Sequence, residues 1–164
     1  MVVAVEISAQ NVSRGTGGPF GCAIFQRDVN TKVCKLFSVG ANRVVPLTNS
    51  TVHGEMAAIQ FAEMKLKAFS LRKAEGDVYE YILCTSCEPC AMCLGGTFWA
   101  APAEMICAAT KDDAEAIGFD EGPVYPKSYV DLEKAGVKVK EAVLRAEGNK
   151  VLQDYAKLGV IYQG

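Results

Sequence analysis

Residues 84–93, Cys-Thr-Ser-Cys-Glu-Pro-Cys-Ala-Met-Cys, place a cysteine at every third position and a proline just before the third of them. Pro89 has a fixed φ and no N–H, so it suits the opening of a helix and cannot continue a central strand. From there the i, i+3 spacing puts Cys90 and Cys93 on one face of a first helical turn, where the positive end of the helix favours thiolates. The chain must therefore pass from strand to helix at this point with two thiols on a common face.

The seven cysteines are an odd number, and four crowded into ten residues read as metal binding or catalysis rather than as a disulfide framework. An iron–sulfur run of the C-x2-C-x2-C-x3-C-P type looks similar, but its last spacing is wrong and its proline follows the fourth cysteine. A structural four-cysteine zinc would have to pull Cys84 out of an apolar strand. Cys22, Cys34, Cys84 and Cys107 read as buried free thiols, and the role of Cys87 is left open. His53, the only histidine, stands in Thr51-Val52-His53-Gly54-Glu55-Met56-Ala57. With Cys90 and Cys93 it makes three zinc ligands, which leave the fourth tetrahedral position that a catalytic zinc keeps open for water. Glu55, two positions on, converges on the same helix start and is placed to carry protons without being a ligand.

Around these motifs the elements alternate. Residues 1–14 read as a helix ended by a glycine-rich stretch, and 22–26 with 35–39 as an antiparallel hairpin. A helix capped by Asn49 or Ser50 runs to Leu66, with Val52, Met56, Ile59 and Phe61 at helical spacing. A strand over 79–84 precedes the helix that Pro89 opens, which runs through Trp99. A strand over 105–109, a helix over 128–135, a short strand over 137–139 and a helix over 149–158 follow. This order predicts an α/β, three-layer arrangement without linker or repeat, so residues 1–164 are expected to form one domain. The formal charge of −2 and a sequence pI of about 5.5 supply no field for phosphate backbones, so nucleic acid is not expected as a partner. Residues 1–7 are apolar but short, lack a basic leader and are interrupted by Glu6, which excludes a signal peptide or membrane span there and makes a cytoplasmic location the expectation.

His53-Gly54-Glu55 followed by Pro89-Cys90-Ala91-Met92-Cys93 resembles the H-x-E and P-C-x-x-C signature of the zinc-dependent cytidine deaminase-like superfamily. The likeness runs from Gly17-Gly18-Pro19-Phe20 to the end of the chain. Within the superfamily, Thr85-Ser86-Cys87-Glu88-Pro89-Cys90 and, more discriminatingly, Ala116-Ile117-Gly118-Phe119-Asp120-Glu121-Gly122-Pro123 are most similar to bacterial-type guanine deaminases. Gly54 departs from the pattern, which usually has alanine there. The resemblance implies a mixed five-stranded sheet flanked by helices, one zinc per chain and a homodimer. It implies His53, Cys90 and Cys93 as metal ligands and Glu55 as general acid/base. It further implies Asn42 as the base-recognising amide, Phe20 and Trp99 as a stacking sandwich, and Glu121 with Asp120 at the amino-bearing edge of a purine. Tyr162, in a C-terminal segment of about 145–164, is expected to close the pocket. Without the resemblance, Asn42 reads equally as a turn residue, Phe20 and Trp99 as core aromatics, and Asp120 and Glu121 as solvated loop acids.

The activity implied is hydrolysis of guanine to xanthine and ammonia in purine catabolism or salvage, with side activity on ammeline-like amino-triazines. The alternatives are deamination of guanosine, of cytosine or cytidine, or of adenosine in tRNA. A zinc-stabilised scaffold without chemistry is the rival of a different class, and the presence of all three ligands together with Glu55 weighs against it.

Overall fold

Alternation along the central strands decides which helix covers which face. The structure, a computed structural model, describes residues 1–159, 161 and 162. Along the chain these form α1 (Val2–Ser13), β1 (Gly21–Asp28), β2 (Cys34–Ala41), α2 (Val44–Leu47), α3 (Gly54–Leu66) and β3 (Tyr79–Cys87). They continue with α4 (Ala91–Ala100), β4 (Glu104–Ala109), α5 (Lys111–Glu115), α6 (Pro126–Lys134), β5 (Lys138–Lys140) and α7 (Arg145–Ala156). The strands make one sheet in the order β2-β1-β3-β4-β5. β1 pairs antiparallel with both β2 and β3, whereas β3, β4 and β5 run parallel. This is the mixed five-stranded sheet expected.

Cys22 and Ile24 on β1, Leu83 on β3, and Met105 and Cys107 on β4 point to one face, where they pack with Ala58, Ile59 and Ala62 of α3 and Leu132 of α6. The intervening residues Ala23, Ile82, Cys84 and Ile106 point to the other, against Ala4 and Ile7 of α1. Period-two burial on both sides requires helices above and below, which gives three layers. Gly40 of β2 lets the first turn of α3 come close, since a Cβ there would stand 2.1 Å from the Gly54 carbonyl oxygen.

Several boundaries differ from expectation. α3 begins at Gly54, with His53 as its N-cap. Asn49 is not the cap, because its Oδ1 accepts from the Thr51 N–H (3.0 Å) and Oγ1 (2.8 Å) in a local turn that competes with helix. α4 opens after Cys90 rather than at Pro89, and α7 opens at Arg145, earlier than expected. α2 and α5 were not anticipated. Cys34 is exposed at the start of β2 instead of buried. No helix among the described residues is long and apolar enough to cross a membrane.

Candidate active site

The N-termini of α3 and α4 meet beside the C-terminal end of β3. His53 (φ −77°, ψ 161°) caps α3 and Cys90 (φ −63°, ψ 171°) caps α4, and neither side chain bonds its own helix. A cap position is ordinarily filled by Ser, Thr, Asp or Asn, whose oxygen accepts from a free helix N–H. An imidazole and a thiol there leave both donors for another partner. Cys93, buried in the first turn of α4, joins them. Cys90 Sγ and His53 Nδ1 are 3.5 Å apart, and the donor atoms of all three residues lie within 4.8 Å of one another. Donors sharing one tetrahedral zinc stand about 3.5–3.8 Å apart, so one imidazole nitrogen and two sulfurs at this spacing fit zinc.

The local charges agree. The Cys93 thiol, then His53, hydrogen-bonds Cys90 and pulls its pKa down to about 4, while the Cys93 thiol is pushed far up by the same pairing. Burial disfavours the imidazolium of His53, but its contact with Cys90 and the Glu55 charge outweigh that and raise its pKa. The open question about Cys87 is resolved: it is 1% exposed, its Sγ donates to the Thr110 carbonyl at 3.5 Å, and it stands outside the ligand set.

Two acids complete the centre. Glu55, in the first turn of α3, is buried, and its Oε1 accepts from Thr85 Oγ1 at 2.7 Å. Burial first, then the Cys90 charge, holds its carboxyl above the ordinary range. Glu121 is 7% exposed, and burial, with the charges of Cys90 and Glu55, pushes it up to about 8. Its carbonyl accepts from the Ala91 N–H (2.9 Å), which fastens the acidic loop to the start of α4. Asp120 is exposed and turns back to accept from the Gly122 N–H at 2.8 Å, so it stands at the rim.

A cavity of about 270 Å³ is lined by His53, Glu55, Cys90 and Glu121 on its polar side and by Phe20, Phe119 and Tyr162 on its aromatic side. Phe119 sits edge-on to Phe20 (centroids 4.9 Å) and to Tyr162 (5.4 Å), so it links them. The sequence reading assigned Phe119 no role. It stood in the discriminating stretch only as an aromatic among glycine, acid and proline, and on the same wall Ser50 was read as a helix cap and Glu88 and Met92 as parts of the cysteine motifs. Trp99 is corrected: it is 79% exposed, packs edge-on against Phe98, and does not reach the cavity. The buried stripe of α4 is Cys93, Thr97 and Ala100, at i, i+4 and i+7, and Trp99 falls off it.

Asn42 lies fully buried behind the aromatic wall. Its backbone is held by the Phe20 carbonyl (3.0 Å) and by Asn11 Nδ2 (2.8 Å), and its Oδ1 accepts from the Val44 N–H (3.3 Å). Its Nδ2 has no partner among the described residues. Its side chain also bears on the Tyr162 hydroxyl, partly offsetting the burial that raises the pKa of that group. A Cβ on Gly18 would stand 2.6 Å from the Tyr162 hydroxyl and 3.1 Å from Asn42 Oδ1, so glycine leaves room for both.

A family model for the cytidine and deoxycytidylate deaminase zinc-binding region matches residues 1–109. The guanine deaminase of Bacillus subtilis (strain 168) is 38% identical over 122 residues, 74% of this chain and 70% of that protein. A solved guanine deaminase from Nitrosomonas europaea superposes with a TM-score of 0.84 at 36% identity, covering 94% of this chain and 81% of that one. A solved chain in complex with 2,6-diaminopurine superposes with a TM-score of 0.85 at 38% identity, over 98% of this chain and 82% of that one.

Proposed function

The chain belongs to the cytidine and deoxycytidylate deaminase zinc-binding family and is a hydrolytic deaminase, and on that premise we propose that it converts guanine and water to xanthine and ammonia. The observation that carries the choice of substrate is the pair of buried carboxyl groups, Glu55 and Glu121, on the wall of the cavity that His53 and Cys90 also line. The names of the Bacillus and Nitrosomonas relatives support it.

His53, Cys90 and Cys93 hold the zinc, which when bound supplies Lewis-acid activation of water at near-neutral pH. The chain's own groups do the rest. Glu55 takes the proton of the attacking water and delivers it to a ring nitrogen beside C2 as C2 becomes tetrahedral. As the C2–N bond breaks, Glu55 with help from Glu121 protonates the amine, and the proton of the new C2 hydroxyl replaces the one given up, leaving C2=O and ammonia. Asn42, buried behind the cavity wall with its side chain against Tyr162, backs the edge of the pocket that the purine meets. Phe20, braced by Phe119 packed edge-on against it, offers the flat ring an aromatic wall, and Tyr162 covers it from the C-terminal segment. Asp120, at the rim, shapes the entrance to the amino-bearing edge.

Ammeline presents the same N–C(NH₂)–N edge and is proposed as a slower substrate. Residues 1–164 act as one deaminase domain in purine catabolism or salvage. Exposed apolar side chains on and after α3 and at the end of α4 support a homodimer, and free thiols suit a reducing, cytoplasmic setting. The test is ammonia release by the zinc-loaded protein from guanine, guanosine, adenine, cytosine, cytidine and ammeline. Release from guanine, alone or with ammeline, is expected. Release confined to cytosine or to a nucleoside would keep the family chemistry and overturn the pocket roles.

A further inference from the structure

We propose that Thr85 is the positioning residue for Glu55: its hydroxyl holds Oε1 and so fixes the rotation of the carboxyl that takes and hands on the proton. The proposal deepens the reading above and rests on Glu55 as the proton carrier. Thr85 lies on β3 in register with Cys22 of β1 and Cys107 of β4, both fully buried, and is itself 1% exposed. Its face of β3 also carries Leu83 and Cys87, which are core side chains, so the pattern of the strand calls for an apolar residue where Thr85 stands. Valine would fill the same space with the same β-branched shape. The hydroxyl therefore needs a reason, and the 2.7 Å hydrogen bond to Glu55 Oε1 is the one bond it makes among the described residues.

A hydroxyl has a single proton to donate, and burial commits it to the acceptor at hand. The same bond ties the first turn of α3 to the sheet. It fixes the rotation of a carboxyl whose terminal torsion is otherwise broad.

The test compares Thr85→Val, Thr85→Ser and Glu55→Gln as zinc-loaded proteins, on whichever amino-heterocycle the wild type turns over, so that an error in substrate class leaves it intact. Thr85→Val is expected to lower kcat roughly 10- to 100-fold, the effect of one hydrogen bond to a charged group, with KM, zinc content and thermal midpoint near wild type. Thr85→Ser restores the hydroxyl and should recover most of kcat. Wild-type kcat in Thr85→Val would overturn the proposal. So would a Thr85→Ser as slow as Thr85→Val, or a loss that tracks zinc content or KM. A Glu55→Gln variant with wild-type kcat would remove the proton carrier itself and with it both readings, whereas an inactive Glu55→Gln beside a fully active Thr85→Val removes only this one.

Discussion

Glu55 and Glu121 are chemically the same group, and their surroundings separate their tasks. Glu55 has a hydroxyl donor on one oxygen and the ligand residues beside it, so it can both take and return a proton at a fixed place. Glu121 has its carboxyl pushed above the ordinary range, chiefly by burial, so it holds a proton more readily than an exposed glutamate. Glu55→Gln keeps the volume and removes the proton traffic. Ammonia release is expected to fall by about 10²–10⁴-fold while metal analysis still finds stoichiometric zinc, and a near-normal rate would refute the role. Glu121→Gln should lower kcat/KM for guanine by roughly 10²-fold with the fold intact, and unchanged kcat/KM would refute its part in the chemistry. That His53, Cys90, Cys93 and Glu55 come together was legible in the sequence, because type and spacing limit where an imidazole, two thiols and a carboxylate at helix starts can stand. Trp99 and Phe119 were not. Whether an aromatic side chain faces a cavity depends on which stripe of its helix is buried, or on how a loop folds back, and neither is written in local spacing. Within its own chain Trp99 therefore stands away from the cavity that Phe20 lines.

At the scale of elements, most boundaries that moved did so at caps. His53 and Cys90 were read as lying inside their helices, and they are the N-caps, with extended backbone and no side-chain bond to their own helix. α5 was missed although its signal was present: Thr110 and Asp113 form a reciprocal capping box over Thr110-Lys111-Asp112-Asp113. A helix of one and a half turns is too short for periodicity to reveal, and only the box betrays it. Asp113 also receives both Nε (2.8 Å) and Nη2 (2.9 Å) of Arg145, which joins α5 to the first residue of α7. That fork, with the Thr110 bonds, holds the Asp113 pKa down to about 2 from an ordinary 3.8. A carboxylate depressed in the folded state adds stability that is fully present above the unfolded pKa and is lost as pH falls through the folded one. Urea denaturation should accordingly find Asp113→Asn about 1–2 kcal/mol less stable than wild type at pH 7, the figure being reduced for the half-exposed Arg145. The gap should close between about pH 4 and pH 2. A gap independent of pH would show that the charge does not contribute.

At the scale of the whole molecule, the apolar surface is what remains unexplained by a single chain. Phe61 and Met64 on α3, Phe69 just after it, and Trp99 at the end of α4 are 58%, 73%, 93% and 79% exposed. α3 and α4 pack on each other, so these side chains belong to one side of the sheet. Aromatic residues and methionine are the types enriched at the centres of protein interfaces, and large apolar patches on single chains mark such sites. A formal charge of −2 opposes self-association only weakly. Sedimentation should therefore return twice the 17.6 kDa chain mass. Trp99, the only tryptophan, reports on the same surface: in a dimer that covers it, its emission should be blue-shifted and its quenching by acrylamide slow. Phe61→Asp, with Trp99 left as the probe, should return both the mass and the emission to those of a lone chain. Because Cys90 and Trp99 stand at opposite ends of α4, about 14 Å apart along a helix rising 1.5 Å per residue, a Trp99→Asp variant is expected to lose the dimer and keep its zinc. A wild type that sediments as a single chain with a water-exposed Trp99 would leave the homodimer without support, and a Trp99→Asp variant that also sheds zinc would mean that α4 transmits the interface to the metal ligands.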